Sequence, residues 1–457
     1  MSHKDPSTSR NLEIFAIFHN FLFFSMTLIL IWTGFTMMRI MRLLPSRSPR
    51  MLAARVHSSS VRSNFRNFTS TTCTDPPTGA PSNKIKTWKV DYAKMMGHSL
   101  QPPAGPLWGD DVIDDADVEH GDDQRFIPQV SLHDQDGRKK KRVLMLCTGG
   151  TLTMAPDPSA GGALAPVEGA LSAYLQDMNE LQNSDMPDLV LHEYAPFVDS
   201  SDLGPADWAR LAHDIRDNYL HFDGFVVITG TDTMAYAATA LAFMLENLGK
   251  PVVFTGSQIP LSMPYSDGRR NLIMALIFAS RDSITEVTIF FHDRLLRACR
   301  ATKVNTHRLL AFDSPNQDPL ATVGITIDEN EHLLLPPARG ALRLHSRMDT
   351  RLLTLRLVPG FDDAMITEMI KTNMEKNLLK TLVLQLYGTG NFPQAKTSFI
   401  QLLADAAAEG ILVVAATQCF TGSVMMGHYK VGKALESAGI VSANDMTLEA
   451  STYRCVP

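Results

Sequence analysis

The sequence predicts an α/β protein with two domains, in which helices cover mostly parallel sheets. Short apolar runs alternate with amphipathic segments from residue 142 onward, this alternation breaks near residue 326, and it resumes after residue 350. The predicted parts are an N-terminal extension over 1–75, a disordered linker over 76–141, a larger domain over 142–325, an interdomain linker over 326–350 and a smaller domain over 351–457.

The strands of the larger domain are predicted from apolar runs bounded by glycine or proline, a pattern typical of buried parallel strands. A helix is predicted from Pro205, because Trp208, Leu211 and Ile215 then fall on one face. A second helix is predicted to end at Gly249. The predicted strands are 143–147, 224–229, 251–255 and 286–292.

The smaller domain repeats the same alternation. Its last residues, 446–457, show no closing helix, so this domain is predicted to be truncated. The predicted strands are 352–357, 382–387 and 411–417, and the predicted helices lie near 363–375 and 394–408.

Composition excludes several function classes. Hydrophobic residues make up 45% of the 457 residues and charged residues 20%, as in a soluble globular protein. A net charge of −6 argues against a nucleic-acid partner. The five cysteines are odd in number and form no CxxC pair, so the sequence predicts neither a disulfide framework nor a metal site.

The N-terminal extension contains a long apolar segment. Residues 14–38 carry no formal charge and exceed the ~20 residues that cross a bilayer, and basic residues follow them. This pattern favours a single-pass membrane anchor that holds the rest of the chain in the cytosol. The alternatives are a mitochondrial transit peptide, because the segment from Met37 to Asp75 is rich in Arg and Ser, and a wrongly chosen start codon.

Turns that combine hydroxyl groups with glycine follow three of the predicted strands. They span 148–151, 229–233 and 255–258, and Lys303 comes after the fourth strand. Ligands of such sheets bind beyond the carboxyl ends of the strands, so these turns predict one polar pocket. A phosphate-binding loop would need GxxxxGK[ST] or GxGxxG, and the first turn reads TGGTLTMAPDPSAGG. A threonine nucleophile is the favoured reading, with Asp232 and Lys303 as candidates for proton transfer.

Several long motifs then resemble one family. TGGTLTM, DGFVVITGTDTMAYAATALAFMLENLGKPVVFTGSQIP, SDGRRNL and RATKVNT, which occur in this order, are similar to bacterial-type L-asparaginases. The similarity runs from about residue 142 to 451 and is strongest to the cytosolic type I branch.

The resemblance implies an amidohydrolase that converts L-asparagine to L-aspartate and ammonia, without a metal or an organic cofactor. It implies that Thr151 is the nucleophile, while Thr231, Asp232 and Lys303 form a second cluster that handles protons and the hydrolytic water. Asp232 would also bind the α-ammonium group of the substrate.

The remaining implied residues bind substrate. Asp199, Ser200 and Ser201 would hold the α-carboxylate and its neighbouring atoms, and Asn391 would complete the site of a neighbouring subunit in a homodimer or homotetramer. Leu164 stands where many relatives carry a tyrosine that assists the nucleophile.

Some type I relatives also carry a regulatory asparagine site. Thr302 and Cys419 occupy its positions, but Gln385 stands where an arginine is expected, so no such site is predicted here. Three alternatives to an asparaginase stay open: a glutaminase-asparaginase, the ammonia-donating domain of an amidotransferase, and a non-catalytic amino-acid sensor.

Overall fold

A computed structural model describes residues 86–91, 140–157, 161–428 and 430–453 of the chain. Within these ranges, no helix is both long enough and apolar enough to span a bilayer. The segment 14–38 lies outside the described residues, as does the whole of 1–75. The anchor and the transit peptide therefore stay predictions.

A nine-stranded sheet forms the larger domain. Its order is β1-β5-β2-β6-β8-β9-β10-β13-β14, and the first six strands run parallel while the last three continue it antiparallel. The strands are β1 (Lys86–Asp91), β2 (Arg142–Cys147), β5 (Asp188–Ala195), β6 (Gly224–Ile228), β8 (Val252–Thr255), β9 (Val287–Phe291), β10 (Arg294–Arg297), β13 (Ala321–Val323) and β14 (Ile327–Glu329).

Helices cover both faces of this sheet, because apolar side chains of its central strands alternate between two cores. In β2, Leu144 and Leu146 join one core, whereas Val143, Met145 and Cys147 join the other. Helices α2 (Pro205–Asp217) and α3 (Met234–Met244) pack on the first core, and α1 (Ala170–Gln176) and α4 (Gly268–Ala279) pack on the second.

The larger domain also contains three short two-stranded sheets. A hairpin of β3 (Met154–Asp157) and β4 (Ala163–Pro166) follows the first glycine turn. The pair β11 (Thr302–Lys303) and β12 (Phe312–Asp313) carries the candidate lysine. The pair β7 (Leu245–Glu246) and β15 (Arg343–Leu344) connects the end of α3 to the segment before the smaller domain.

The smaller domain contains a four-stranded parallel sheet in the order β16-β17-β18-β19, which confirms the predicted fold class. Leu382, Leu384 and Leu386 of its second strand face the main core of the domain. The strands are β16 (Leu352–Arg356), β17 (Thr381–Leu386), β18 (Leu412–Thr417) and β19 (Val441–Ser442), and the helices are α5 (Asp363–Glu375), α6 (Thr397–Ala408), α7 (Lys430–Ser437) and α8 (Leu448–Tyr453).

Four elements lie where the sequence predicted none. Strand β1 lies within 76–141, so six residues of the predicted disordered linker pair with β5. Strands β14 and β15 lie within the predicted interdomain linker, where they complete sheets of the larger domain. Helix α8 forms where no closing helix was predicted, because Tyr453 packs edge-on against Trp208 and Tyr236 of the larger domain.

Candidate active site

The candidate residues meet at one edge of the nine-stranded sheet. Strands β5, β2, β6 and β8 run parallel, so their carboxyl ends share this edge. Asp199 follows β5, Thr151 follows β2, Thr231 follows β6 and Gln258 follows β8. Lys303 reaches the same place from β11.

A compact cluster joins Thr231, Asp232 and Lys303. The Lys303 ammonium donates hydrogen bonds to Thr231 Oγ1 at 2.7 Å and to Asp232 Oδ1 at 2.6 Å. Thr231 is buried, whereas the Asp232 side chain is 70% exposed and its carboxylate is open to a ligand. The cluster thus combines a hydroxyl, a carboxylate and an amine, the groups that proton transfer needs.

Gln258 completes this cluster and was not predicted as a site residue. Its Oε1 accepts a hydrogen bond from Thr231 Oγ1 at 3.3 Å. Its Nε2 donates to the backbone carbonyls of Asn305 and Arg308, which follow Lys303 in the chain. The sequence signals for it were its position in the third hydroxyl-glycine turn and in the motif that ends TGSQIP.

Thr151 begins a short 3₁₀ turn (Thr151–Thr153) directly after two glycines. Gly149 and Gly150 have φ of 119° and 90°, a region that side chains disfavour. A Cβ on Gly150 would lie 2.3 Å from the backbone nitrogen of Gly230, so only glycine lets the two turns touch. This contact places the turn of Thr151 directly against the turn of Thr231.

The third group, Asp199 to Ser201, lies on the other side of Gly230. Asp199 Oδ1 accepts from the backbone nitrogen and the hydroxyl of Ser201, both at 2.9 Å, and so caps a short 3₁₀ turn. A Cβ on Gly230 would meet Ser200 Oγ at 2.6 Å, and Thr233 Oγ1 donates to the Ser200 carbonyl at 2.5 Å. The turns that follow β5, β2 and β6 therefore form one continuous surface.

Asn391 lies apart from these turns. It belongs to the turn after β17 in the smaller domain, where its backbone pairs with Tyr387 and its side chain is exposed. No side-chain hydrogen bond connects it to the other candidates within the described part of the chain. Leu164 lies in β4 and is 43% exposed.

A cleft of about 760 Å³ opens beside the cluster, between the two domains. Asp232 and Lys303 line it from the larger domain. The same cleft holds Thr302, Cys419 and Gln385, the three positions compared above with the regulatory site, together with Arg356 and Glu449. Burial raises the pKa of the Glu449 carboxyl, which accepts a hydrogen bond from Thr302 Oγ1 at 2.7 Å.

Comparison with known proteins decides the family. The family model described as "Asparaginase, N-terminal" matches residues 142–334, and the one described as "Glutaminase/Asparaginase C-terminal domain" matches 351–454. L-asparaginase 1 of Escherichia coli strain K12 is 44% identical over 313 residues, which are 68% of this chain and 90% of that protein. The chain belongs to the asparaginase family.

Other asparaginase-family proteins share the same region. A crystal structure of L-asparaginase I from Vibrio cholerae superimposes with a TM-score of 0.62 at 38% identity, over 68% of this chain and 90% of that one. The 60 kDa lysophospholipase of Mus musculus is 40% identical over 334 residues, 68% of this chain and 57% of that protein. The predicted resemblance to type I L-asparaginases is confirmed. Strand β1 precedes the residues that the family models match.

Proposed function

We propose that this chain hydrolyses L-asparagine to L-aspartate and ammonia, with Thr151 as the nucleophile. The observation that carries the proposal is the cluster of Thr231, Asp232 and Lys303, which lies against the glycine turn that presents Thr151. A threonine hydroxyl reacts only when a neighbouring group takes its proton, and this cluster supplies groups able to do so.

The chemistry proceeds in two steps. Thr151 Oγ1 attacks the side-chain amide carbon, the threonine proton passes through the Thr231 cluster to the leaving nitrogen, and ammonia departs. Water then attacks the resulting ester and the cluster takes a proton from that water. The bond between the acyl carbon and Thr151 Oγ1 breaks, the proton returns to Thr151 Oγ1, and aspartate leaves. Backbone N–H groups near the glycine turn stabilise the oxyanion in each step.

Recognition of the substrate rests on charge. The exposed carboxylate of Asp232 binds the α-ammonium group, while Ser200, Ser201 and the turn that Asp199 caps bind the α-carboxylate. A second copy of the chain supplies Asn391 to this site, so the active form is a homodimer or a dimer of dimers. The exposed position of Asn391, away from its own candidate site, supports this arrangement.

Glutamine is the main alternative substrate. One additional methylene changes transition-state binding by only ~1–3 kcal/mol, so the ratio of kcat/KM for asparagine and glutamine needs measurement. An ammonia-donating amidotransferase domain would need a partner that accepts the ammonia. A non-catalytic sensor does not require Thr151 or Lys303, and the chain keeps both.

The test is ammonia release from asparagine by the wild-type chain, Thr151→Ala and Lys303→Met. Both variants are expected to lose at least about 10³-fold in kcat with unchanged melting temperature, because each removes a group that the chemistry uses. Thr326→Ala, in the hairpin at the far edge of the sheet, is the matched control and should retain full activity. Near wild-type turnover by Thr151→Ala would disprove the assignment of the nucleophile.

A further inference from the structure

The backbone of Gln258 is fixed by one carboxylate. The nitrogens of Gln258 and Ile259 donate to Asp267 at 3.0–3.1 Å, and Asp267 lies just before α4. Asn271 Nδ2 donates to the same carboxylate at 3.1 Å. The turn after β8 is therefore held in place independently of the candidate active site.

The side-chain amide of Gln258 has only one orientation that satisfies its neighbours. Nε2 lies 3.4 Å from the carbonyl oxygen of Asn305 and 3.2 Å from that of Arg308. Carbonyl oxygens only accept hydrogen bonds, so the amide nitrogen must face them. Oε1 consequently faces Thr231 Oγ1.

This orientation determines where the Thr231 proton points. A hydroxyl has one proton to donate, and Gln258 Oε1 is an acceptor without a proton. The Lys303 ammonium, on the other side, has only protons to offer, at 2.7 Å. The Thr231 proton therefore points to Gln258, and a lone pair of the hydroxyl oxygen faces Lys303.

We propose that Gln258 is a positioning residue for the hydrolysis, an inference that rests on the proposed function. It acts in two ways through other residues. It orients the Thr231 hydroxyl so that its oxygen accepts from Lys303, and it ties the segment 305–308 to the turn after β8 so that Lys303 stays within hydrogen-bonding distance of Thr231. No atom of Gln258 is required to touch the substrate.

The experiment measures kcat and KM for asparagine and melting temperature in the full-length chain, for wild type, Gln258→Leu and Gln258→Glu. Gln258→Leu removes both sets of hydrogen bonds, and kcat should fall about 10- to 100-fold while KM stays within about twofold. Gln317→Leu is the matched control, because Gln317 is a half-buried glutamine of the same domain that bonds Arg297 and no site residue. The control should keep the wild-type kcat.

Gln258→Glu separates positioning from a purely structural role through its pH profile. A neutral glutamic acid still donates to one carbonyl and accepts from Thr231, whereas an ionised one repels both carbonyl oxygens. Its kcat relative to wild type should therefore be highest at acidic pH and fall as pH rises.

Two outcomes would overturn the inference and leave the proposed function standing. In the first, the wild type is active and Gln258→Leu keeps a kcat within twofold of it. In the second, the ratio of the Gln258→Glu kcat to the wild-type kcat does not change with pH. A wild-type chain that releases no ammonia from asparagine or glutamine refutes the proposed function, and the inference with it.

Discussion

Thr231 and Thr151 follow neighbouring strands of the same sheet, but they are held by different means. Thr231 is 5% exposed, and its hydroxyl has a donor on one side and an acceptor on the other. Thr151 is half-buried, and within the described residues its side chain makes no hydrogen bond. Its position comes from two glycines with positive φ.

The difference teaches how the two halves of the site are organised. Side-chain contacts arrange the proposed proton-transfer cluster before substrate binds, whereas backbone shape presents the proposed nucleophile and leaves its hydroxyl free to meet a substrate. Substitutions should therefore damage the two halves differently. A glycine matters most on the side of Thr151, and a hydrogen-bonding side chain matters most on the side of Thr231.

The largest effect in this comparison is expected from Gly150→Ala. Its Cβ would lie 2.3 Å from the nitrogen and 2.5 Å from the Cα of Gly230, and backbone atoms cannot rotate away. With the strain of φ at 90°, we expect the free energy of unfolding to fall by at least about 2–3 kcal/mol, and ammonia release to be lost. Thermal denaturation and the ammonia assay measure both.

Gly161→Ala provides the control for this substitution. Gly161 also has positive φ, 67°, but a Cβ there meets no atom of the described residues within 4 Å. Gly161→Ala should lower the free energy of unfolding by only ~1 kcal/mol, the cost of holding a non-glycine residue in the left-handed region. Equal losses of stability and activity in Gly150→Ala and Gly161→Ala would show that backbone strain at positive φ, rather than the contact with Gly230, makes Gly150 necessary.

A smaller effect is expected from Thr302→Val, on the side of the cluster. Thr302 precedes Lys303 and donates to the buried Glu449 carboxyl of the smaller domain at 2.7 Å. Valine has a similar shape but no donor, so the segment carrying Lys303 loses an anchor worth ~1 kcal/mol and kcat should fall about fivefold. Glu449→Gln keeps an acceptor for Thr302 and should change kcat less. Steady-state kinetics that show a larger fall in kcat for Glu449→Gln than for Thr302→Val would contradict this anchoring role.

The sequence predicted the central strands well because each is a continuous apolar run. Strand β6, Gly224–Ile228, is buried along its whole length, and its predicted span differs by one residue. Strand β5 was not predicted, because His192 and Glu193 interrupt its apolar pattern although both are buried. Strand β1 was missed because six mostly polar residues give no local signal, and its pairing partner lies about a hundred residues away.

The candidate site divides in the same way. Thr151, Thr231, Asp232 and Lys303 belong to motifs that are recognisable along the chain. Gln258 also lies in one of these motifs, but its proposed role depends on contacts with Thr231 and with carbonyls 47 and 50 residues away in the chain. Contacts set by the tertiary fold decide which polar turn residue acts on a neighbour, and no local pattern records them.

The smallest effect on activity is expected from a substitution that changes the pH dependence of stability and should leave both threonines untouched. Asp214 lies on α2, accepts a hydrogen bond from the Tyr194 hydroxyl, and has Arg210 and Asp217 as charged neighbours. Burial raises the pKa of Asp214 from 3.8 to about 6, against the lowering effect of Tyr194 and Arg210. A carboxyl whose pKa is raised by folding stabilises the protein most below its unfolded value, and this contribution is lost as pH rises through the folded value.

Asp214→Asn removes this titration while keeping an acceptor for Tyr194. Between pH 4 and 7, the stability of the variant relative to wild type should therefore rise with pH, by about 2–3 kcal/mol in total. His192, whose pKa burial lowers to about 4, has the opposite trend in both proteins and cancels in the difference. Urea denaturation at several pH values measures this difference, and kcat per folded molecule should equal that of wild type throughout. Parallel stability curves would mean that Asp214 ionises as easily in the folded chain as in the unfolded one, and a changed pH profile of kcat would mean that the Thr231 cluster senses α2.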